Sequence, residues 1–252
     1  MKRRAFPIAC VLMALLVATG CAPTHPEYDA LYARLAEATE LSDPTLLEGR
    51  RIMIDPGHGG CFEGVVGIDS LSEADANLGV ALYLWGLLKD AGAEVELTRT
   101  TDRDFSNGDE ENLVLDLESR TAIANAFEPE VFISIHHNSN LPLDRERNRI
   151  EIYYREHDGG PSIELANDIH KHLLRNLGIS DSDIEPASYH VLRNSTAKAA
   201  VLAEASYLSN PRVEEKLKLS TKQKLEGEAY FLGLVSYFSR GIPRVERHEP
   251  ER

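Results

Sequence analysis

The sequence predicts an α/β layered domain, a single mostly parallel twisted sheet flanked by helices. Three observations lead there. Short β-branched or aromatic runs, such as residues 131–135 and 150–154, alternate with longer stretches whose apolar positions recur every three or four residues. Two of those longer stretches close on a glycine, Gly92 and Gly178. The proportions are globular as well: 42% hydrophobic and 27% charged residues, with 17 Gly and 12 Pro, exclude a collagen-like, low-complexity or wholly disordered chain. Alternation of this kind marks parallel sheets, which collect functional residues in loops at the C-terminal ends of their strands.

The elements follow in order. Residues 51–54 are a short apolar strand that runs into the loop sequence Asp55-Pro56-Gly57. Over 72–91, Leu78, Leu82, Trp85 and Leu88 recur at helical spacing, with Ser72 as N-cap and Gly92 as stop. A strand over 95–98 and a helix over 119–127 come next, then the strands 131–135 and 150–154. Residues 162–177 form a helix closed by Gly178, 200–203 a strand, and 222–238 a last amphipathic helix. No internal repeat is present.

The compact domain therefore spans residues 50–241, long enough to bury one real core. Ahead of it, residues 1–20 divide into a basic start (Lys2, Arg3, Arg4), an apolar stretch and the small residues Ala18, Thr19 and Gly20, the anatomy of a secretory signal. Cys21 follows directly, and this junction resembles the lipobox of bacterial lipoproteins, although Ala18 stands where leucine is usual. An ordinary signal peptide is the alternative. Residues 21–49 are then a lipidated cysteine and tether, with Pro23 and Pro26 extended and a short helix over 28–41, and 242–252 is a frayed tail. The apolar run at 8–18 is too short for ordinary spanning.

Net charge is −14, and removal of residues 1–20 takes away three bases and no acid, leaving −17. Nucleic-acid binding through a basic face is excluded on that balance. Three cysteines build no disulfide scaffold, and two of them lie at or beside the export segment.

Three candidate metal ligands fall at or beyond predicted strand ends. His58 lies in Asp55-Pro56-Gly57-His58-Gly59-Gly60, Glu73 opens the first helix, and His136 follows Val131-Phe132-Ile133-Ser134-Ile135. Two imidazoles and one carboxylate with a vacant fourth position form a catalytic zinc set. Glu204 closes the apolar run Ala200-Val201-Leu202-Ala203, where it can take a proton from water and hand it to a leaving amine. Each residue alone also has a plain reading: loop histidine, helix-dipole carboxylate, salt-bridge partner. His137 competes with His136, but neighbours on a strand face opposite ways, so only one suits the site. Gly57, Gly59 and Gly60 lack the following Lys-Ser/Thr of a phosphate cradle.

Taken in order, the segments form a pattern. Ile54-Asp55-Pro56-Gly57-His58-Gly59-Gly60, Glu73 with Asn77-Leu78, Leu97-Thr98-Arg99 and Arg120 with Ala124-Asn125 come first. Ile133-Ser134-Ile135-His136-His137-Asn138, Ile152-Tyr153-Tyr154, Val191-Leu192-Arg193, Val201-Leu202-Ala203-Glu204 and Leu208-Ser209-Asn210 follow. Over about residues 50–240 this series resembles the zinc-dependent N-acetylmuramoyl-L-alanine amidases of the amidase type 3 family. The resemblance implies a phosphorylase/hydrolase-like fold and a Zn2+ ion on His58, Glu73 and His136. It implies Glu204 as the catalytic glutamate and a structural role for Arg120. It also implies a peptidoglycan substrate, cleaved between N-acetylmuramic acid and L-alanine, and a protein exported to the outer membrane facing the periplasm, with Cys21 as its lipid anchor. A soluble periplasmic or secreted form is the alternative.

The chain departs from the family in places. His137 occupies a position often held by a small residue, Ala199-Ala200 replaces proline-alanine, and Ala205-Ser206-Tyr207 replaces glycine-phenylalanine. These bear on pocket shape. Cys61, at His58-x-x-Cys61, matches no family ligand and is expected as a free thiol, while His25, His157, His170, His172, His190 and His248 are expected at the surface or in local packing. Division-associated relatives carry an inserted plugging helix after the second zinc histidine. Here only 11 residues, 139–149, separate Asn138 from Ile150, so no obligatory activator is expected. The ligand set alone leaves two other readings open: a zinc hydrolase of another amide, or a silent wall-binding lipoprotein.

Overall fold

The computed structural model describes residues 42–140 and 144–242. The expected signal, Cys21, the expected helix over 28–41 and residues 243–252 lie outside the described residues. After a 3-10 turn at Pro44–Leu47, which buries Leu47 in the core, the elements are β1 (Arg51–Pro56), α1 (Glu73–Asp90), β2 (Glu94–Leu97), α2 (Leu113–Ala126), β3 (Val131–Asn138) and β4 (Ile150–Arg155). Then come α3 (Pro161–Leu177), β5 (Ser182–Ala187), α4 (His190–Arg193), β6 (Ala199–Tyr207), α5 (Pro211–Leu217) and α6 (Ser220–Phe238).

The six strands form one sheet in the order β2-β1-β3-β6-β4-β5. Four neighbouring pairs are parallel, and only β4 with β6 is antiparallel. This is the predicted α/β sheet, with the last two strands in that order, β4 and β5, running opposite to the other four. Alternation along the strands divides the core. Ile52, Ile54, Ile133, Val201 and Ala203 pack under α1, α3 and α6, whereas Met53, Phe132, Ala200 and Leu202 pack under α2 and α4.

Some sequence expectations change. The buried stripe of α1 is Ala74, Asn77, Val80, Ala81, Leu84 and Leu88, while Leu82 and Trp85 are exposed. Of the four large residues expected to face inward, Leu88 is buried and Leu78 half-buried. Small side chains win because α6 crosses α1 closely: a β-carbon at Gly227 would stand 3.2 Å from the Leu84 amide nitrogen. Helix α2 starts six residues earlier than read, capped by Asn112, whose side chain accepts from the Leu115 amide. Strands β3 and β6 run past their expected ends, so His136 and Glu204 lie within them.

Helices α3 and α6 meet at Gly233, where an added β-carbon would lie 2.8 Å from Ile169 Cα. Gly233→Ala should therefore lower stability by about 1–3 kcal/mol through forced separation of the helices. Urea denaturation measures this, and an unchanged midpoint would contradict so close a crossing.

Candidate metal centre

The candidate ligands come from three elements that meet at the C-terminal edge of the sheet. Gly57 extends the ladder past β1, its amide donating to the Ile135 carbonyl at 3.0 Å, and His58 then turns at φ +64°. A non-glycine residue there carries left-handed strain of roughly 1–2 kcal/mol. Two buried arginines hold the turn. Arg120 donates from Nη1 to the Pro56 carbonyl (2.9 Å) and from Nη2 to the His58 carbonyl (2.6 Å). Arg99 donates from Nε to the Pro56 carbonyl (2.9 Å) and from Nη2 to the carbonyls of Gly57 (2.9 Å) and Ala74 (2.8 Å). Glycine is required at 57, because a β-carbon would lie 2.2 Å from the His136 imidazole.

Behind the loop stands a buried ionic cluster. Asp55 accepts from Thr98 Oγ1 (2.6 Å), Ser134 Oγ (2.7 Å) and Arg120 Nη1 (3.0 Å), and Arg120 Nε also donates to Asp116 (2.6 Å). Burial opposes the Asp55 charge, but Arg120 and the two hydroxyls outweigh it and hold the carboxyl below its ordinary range.

Glu73 is the first residue of α1, after Ser72, whose hydroxyl accepts from the Asp75 amide at 3.1 Å. Glu73 Oε2 accepts from the Val65 amide (3.0 Å), and Oε1 accepts from the His137 amide (3.2 Å). The same Oε1 lies 3.2 Å from His58 Nε2 and 3.0 Å from His136 Nδ1. One ligand atom from each of the three residues falls within 4.8 Å of the others. Burial opposes the charge of Glu73, yet contacts with His136 and His58 hold its carboxyl well below the usual range. Burial pushes the His136 imidazole toward its neutral form, the one that ligates metal.

His137 turns away, fully buried, with Nδ1 2.7 Å from Asn77 Oδ1 and Nε2 3.3 Å from Glu226 Oε2. Of the two neighbouring histidines, it is the His136 side chain that lies with His58 and Glu73. Glu204 pairs with His136 across β3 and β6 and with Glu151 across β6 and β4, so all three share one face. Its Oε2 is buried without a partner. Burial first, then the charges of Glu73 and Glu151, pushes Glu204 well above the usual carboxylate range.

His58, His136 and Glu204 line a cavity of about 390 Å3 together with Leu113, Leu117 and Tyr189. Tyr189 stacks edge-on against Tyr153 at 5.1 Å between ring centroids. Cys61 is a free thiol with Sγ 3.6 Å from Ser106 Oγ, outside the ligand cluster. Sequence reading left Asp55 and Arg99 without a role, though an acid directly after three apolar strand residues signals a buried charge. It also missed the wall made by α4, since Tyr189 and His190 carry no spacing that marks them.

The pattern of the family described as N-acetylmuramoyl-L-alanine amidase matches residues 52–236. A germination-specific N-acetylmuramoyl-L-alanine amidase of Bacillus subtilis is 31% identical over 202 residues, 78% of this chain and 84% of its own length. Among solved structures, the catalytic domain of CwlV, an N-acetylmuramoyl-L-alanine amidase from Bacillus (Paenibacillus) polymyxa var. colistinus, is 32% identical with a TM-score of 0.66, covering 75% of this chain and 98% of that one. The CwlD amidase of Clostridioides difficile, solved in complex with the GerS lipoprotein, is 26% identical with a TM-score of 0.70, covering 76% and 100%.

Removing Arg120 while leaving its acids should be severe. Arg120→Met strands Asp55 and Asp116 in the core and should lower unfolding free energy by about 3–5 kcal/mol. Urea titration reads the loss, and a change below 1 kcal/mol would mean that the cluster does not hold the loop.

Proposed function

Because the chain belongs to the N-acetylmuramoyl-L-alanine amidase family, it is a cell-wall hydrolase that cleaves the amide between N-acetylmuramic acid and L-alanine of peptidoglycan, and we propose that it does so with zinc held by His58, Glu73 and His136. The observation that carries the reading is the convergence of two imidazoles and one buried carboxylate beside a fourth, unpartnered carboxylate oxygen. The donor set fits zinc, and a three-residue set leaves a position open to substrate and water. When bound, the ion would polarise the scissile carbonyl and make water more acidic.

The rest falls to the chain. Glu204, its proton affinity raised by burial and by neighbouring carboxylates, accepts a proton from the attacking water at the unpartnered Oε2 and returns it to the leaving alanine nitrogen. Arg120 and Arg99 keep His58 in place by holding backbone carbonyls. Leu113, Leu117 and Tyr189 supply apolar surface to the lining of the cavity.

Location follows from the same reading. Wall-lytic chemistry belongs outside the cytoplasm, in keeping with the signal at 1–20, and we place the protein on the outer membrane through a lipidated Cys21, facing the periplasm. Ala22, rather than aspartate, after the cysteine supports that side. A plug is not expected: 11 residues join β3 to β4, and the described ones among them, 139–140 and 144–149, contain no helix. A single turn takes 3.6 residues, and a plug would need several turns with two connectors.

His58→Ala, Glu73→Ala or His136→Ala should each abolish both bound zinc and product formation. Glu204→Gln should keep the metal and lose about 10²–10⁴-fold in turnover. Mass spectrometry of digested sacculi, with metal analysis of each variant, checks both points. Products cut elsewhere than at the muramoyl amide would overturn the substrate, and wild-type rates in Glu204→Gln would remove it as the base.

Regulation is tested separately. Zinc-loaded protein spanning residues 42–252 should digest purified sacculi with no second protein present. Activity that appears only after a partner is added would show that this domain is restrained by something other than a helix in the β3–β4 connection.

A further inference from the structure

Behind the sheet from the catalytic cavity, a second cavity of about 260 Å3 opens where the end of α3, helix α5, the first turn of α6 and the residues before β4 meet. Arg212, Lys216 and Lys222 line it against a single acid, Glu146. The local sequence is unusual for this chain. Acids outnumber bases 41 to 27 overall, yet residues 212–224 hold five bases and two acids.

Two of the lining residues are buried and make no side-chain hydrogen bond among the described residues. Lys222 is only 6% exposed, and its ammonium makes no hydrogen bond and no ion pair within 4 Å among the described residues. Glu226, one turn further along α6, attracts it from beyond that distance while its Oε2 faces His137. Ser206 is fully buried, and its hydroxyl also lacks a partner. Buried donors are almost always paired, so the orphaned Ser206 hydroxyl, lining one space with a lysine that has no hydrogen bond, marks a place where something binds.

The sign of the charge says what. Burial lowers Lys222 to about 8, against the pull of Glu226, which still leaves it a cation at neutral pH. Helix α6 begins on Leu219 with no side chain accepting from its first amides, so the positive end of its dipole adds to the same field. The volume lies below the roughly 300–1,000 Å3 typical of pockets for drug-sized ligands, which fits a single small group.

We propose that this cavity is an oxyanion site, holding one carboxylate or phosphate group on Lys222 Nζ and Ser206 Oγ, with Arg212 at its mouth. Arg212 is exposed and has no ion pair among the described residues, so its guanidinium is available to the same anion. Two sources share this chemistry, free inorganic phosphate and the carboxylate of a peptide or small acid. The site is separate from the zinc ligands and does not depend on the amidase reading.

Calorimetric titration tests it on the zinc-loaded protein, with sodium phosphate in one arm and sodium acetate in the other, at constant ionic strength set by chloride. At least one arm should show saturable one-site binding, and the arm that saturates identifies the source. Lys222→Met should weaken that binding about ten-fold or more, and Ser206→Ala by several-fold. Ser206→Ala removes one oxygen without changing shape, so it reads the site even where the lysine variant does not fold. Absence of saturation in both arms, or binding unchanged in Ser206→Ala and in a folded Lys222→Met, would overturn the proposal. Unchanged binding would place the anion at the metal centre or on the open surface.

Discussion

The buried guanidinium of Arg120 is the constraint on which the site depends. It reaches from α2 to Asp55 and the Pro56 carbonyl at the end of β1, to the His58 carbonyl beyond that strand, and to Asp116 on its own helix. Those contacts turn a strand end into a fixed loop with a histidine at positive φ. A buried ion pair of this kind is a poor source of net stability, since a well-packed apolar group of similar volume often does as well. Its value here is geometric. Five donors in a planar fork can satisfy two carboxylates and two carbonyls at once, which neither lysine nor an apolar side chain can do.

Charge balance explains the rest of the design. Glu73, Glu204 and Glu151 crowd the C-terminal edge of the sheet, and Glu204 feels both of the others. Glu151 has Arg149 beside it at 3.4 Å, whereas Glu73 has the imidazoles of His58 and His136 and two backbone amides. A divalent cation on the proposed ligands would offset the charge of Glu73, leaving Glu204 free for proton transfer. The sheet register makes the juxtaposition possible, because His136, Glu204 and Glu151 are direct neighbours on three adjacent strands.

Much of this was legible in the sequence, for identifiable reasons. Strands β1, β3 and β6 are buried on both faces and read as continuous apolar runs, so their ends, with His58, His136 and Glu204, could be located. Strand β5 escaped notice because it is an edge strand: Ser182-Asp183-Ile184-Glu185-Pro186-Ala187 is largely exposed and contains a proline, which looks like a loop. The inward face of α1 was misjudged at Leu82 and Trp85, since periodicity gives the pitch of a helix but not which of two adjacent stripes is covered. The small residues that admit α6 carry that information, and it appears only once the partner helix is placed. Arg120 could be picked out by its place in the motif series, but its four partners are far apart in sequence.

The proposed chemistry needs a metal held by two imidazoles and a carboxylate, with no thiolate. X-ray absorption at the zinc edge on the metal-loaded protein tests this most directly. The prediction is a shell of nitrogen and oxygen scatterers with the outer-shell signature of two imidazoles, and no sulfur near 2.3 Å. A sulfur shell, which Cys61 alone among the described residues could supply as a cysteine, or a count of imidazoles other than two, would contradict it.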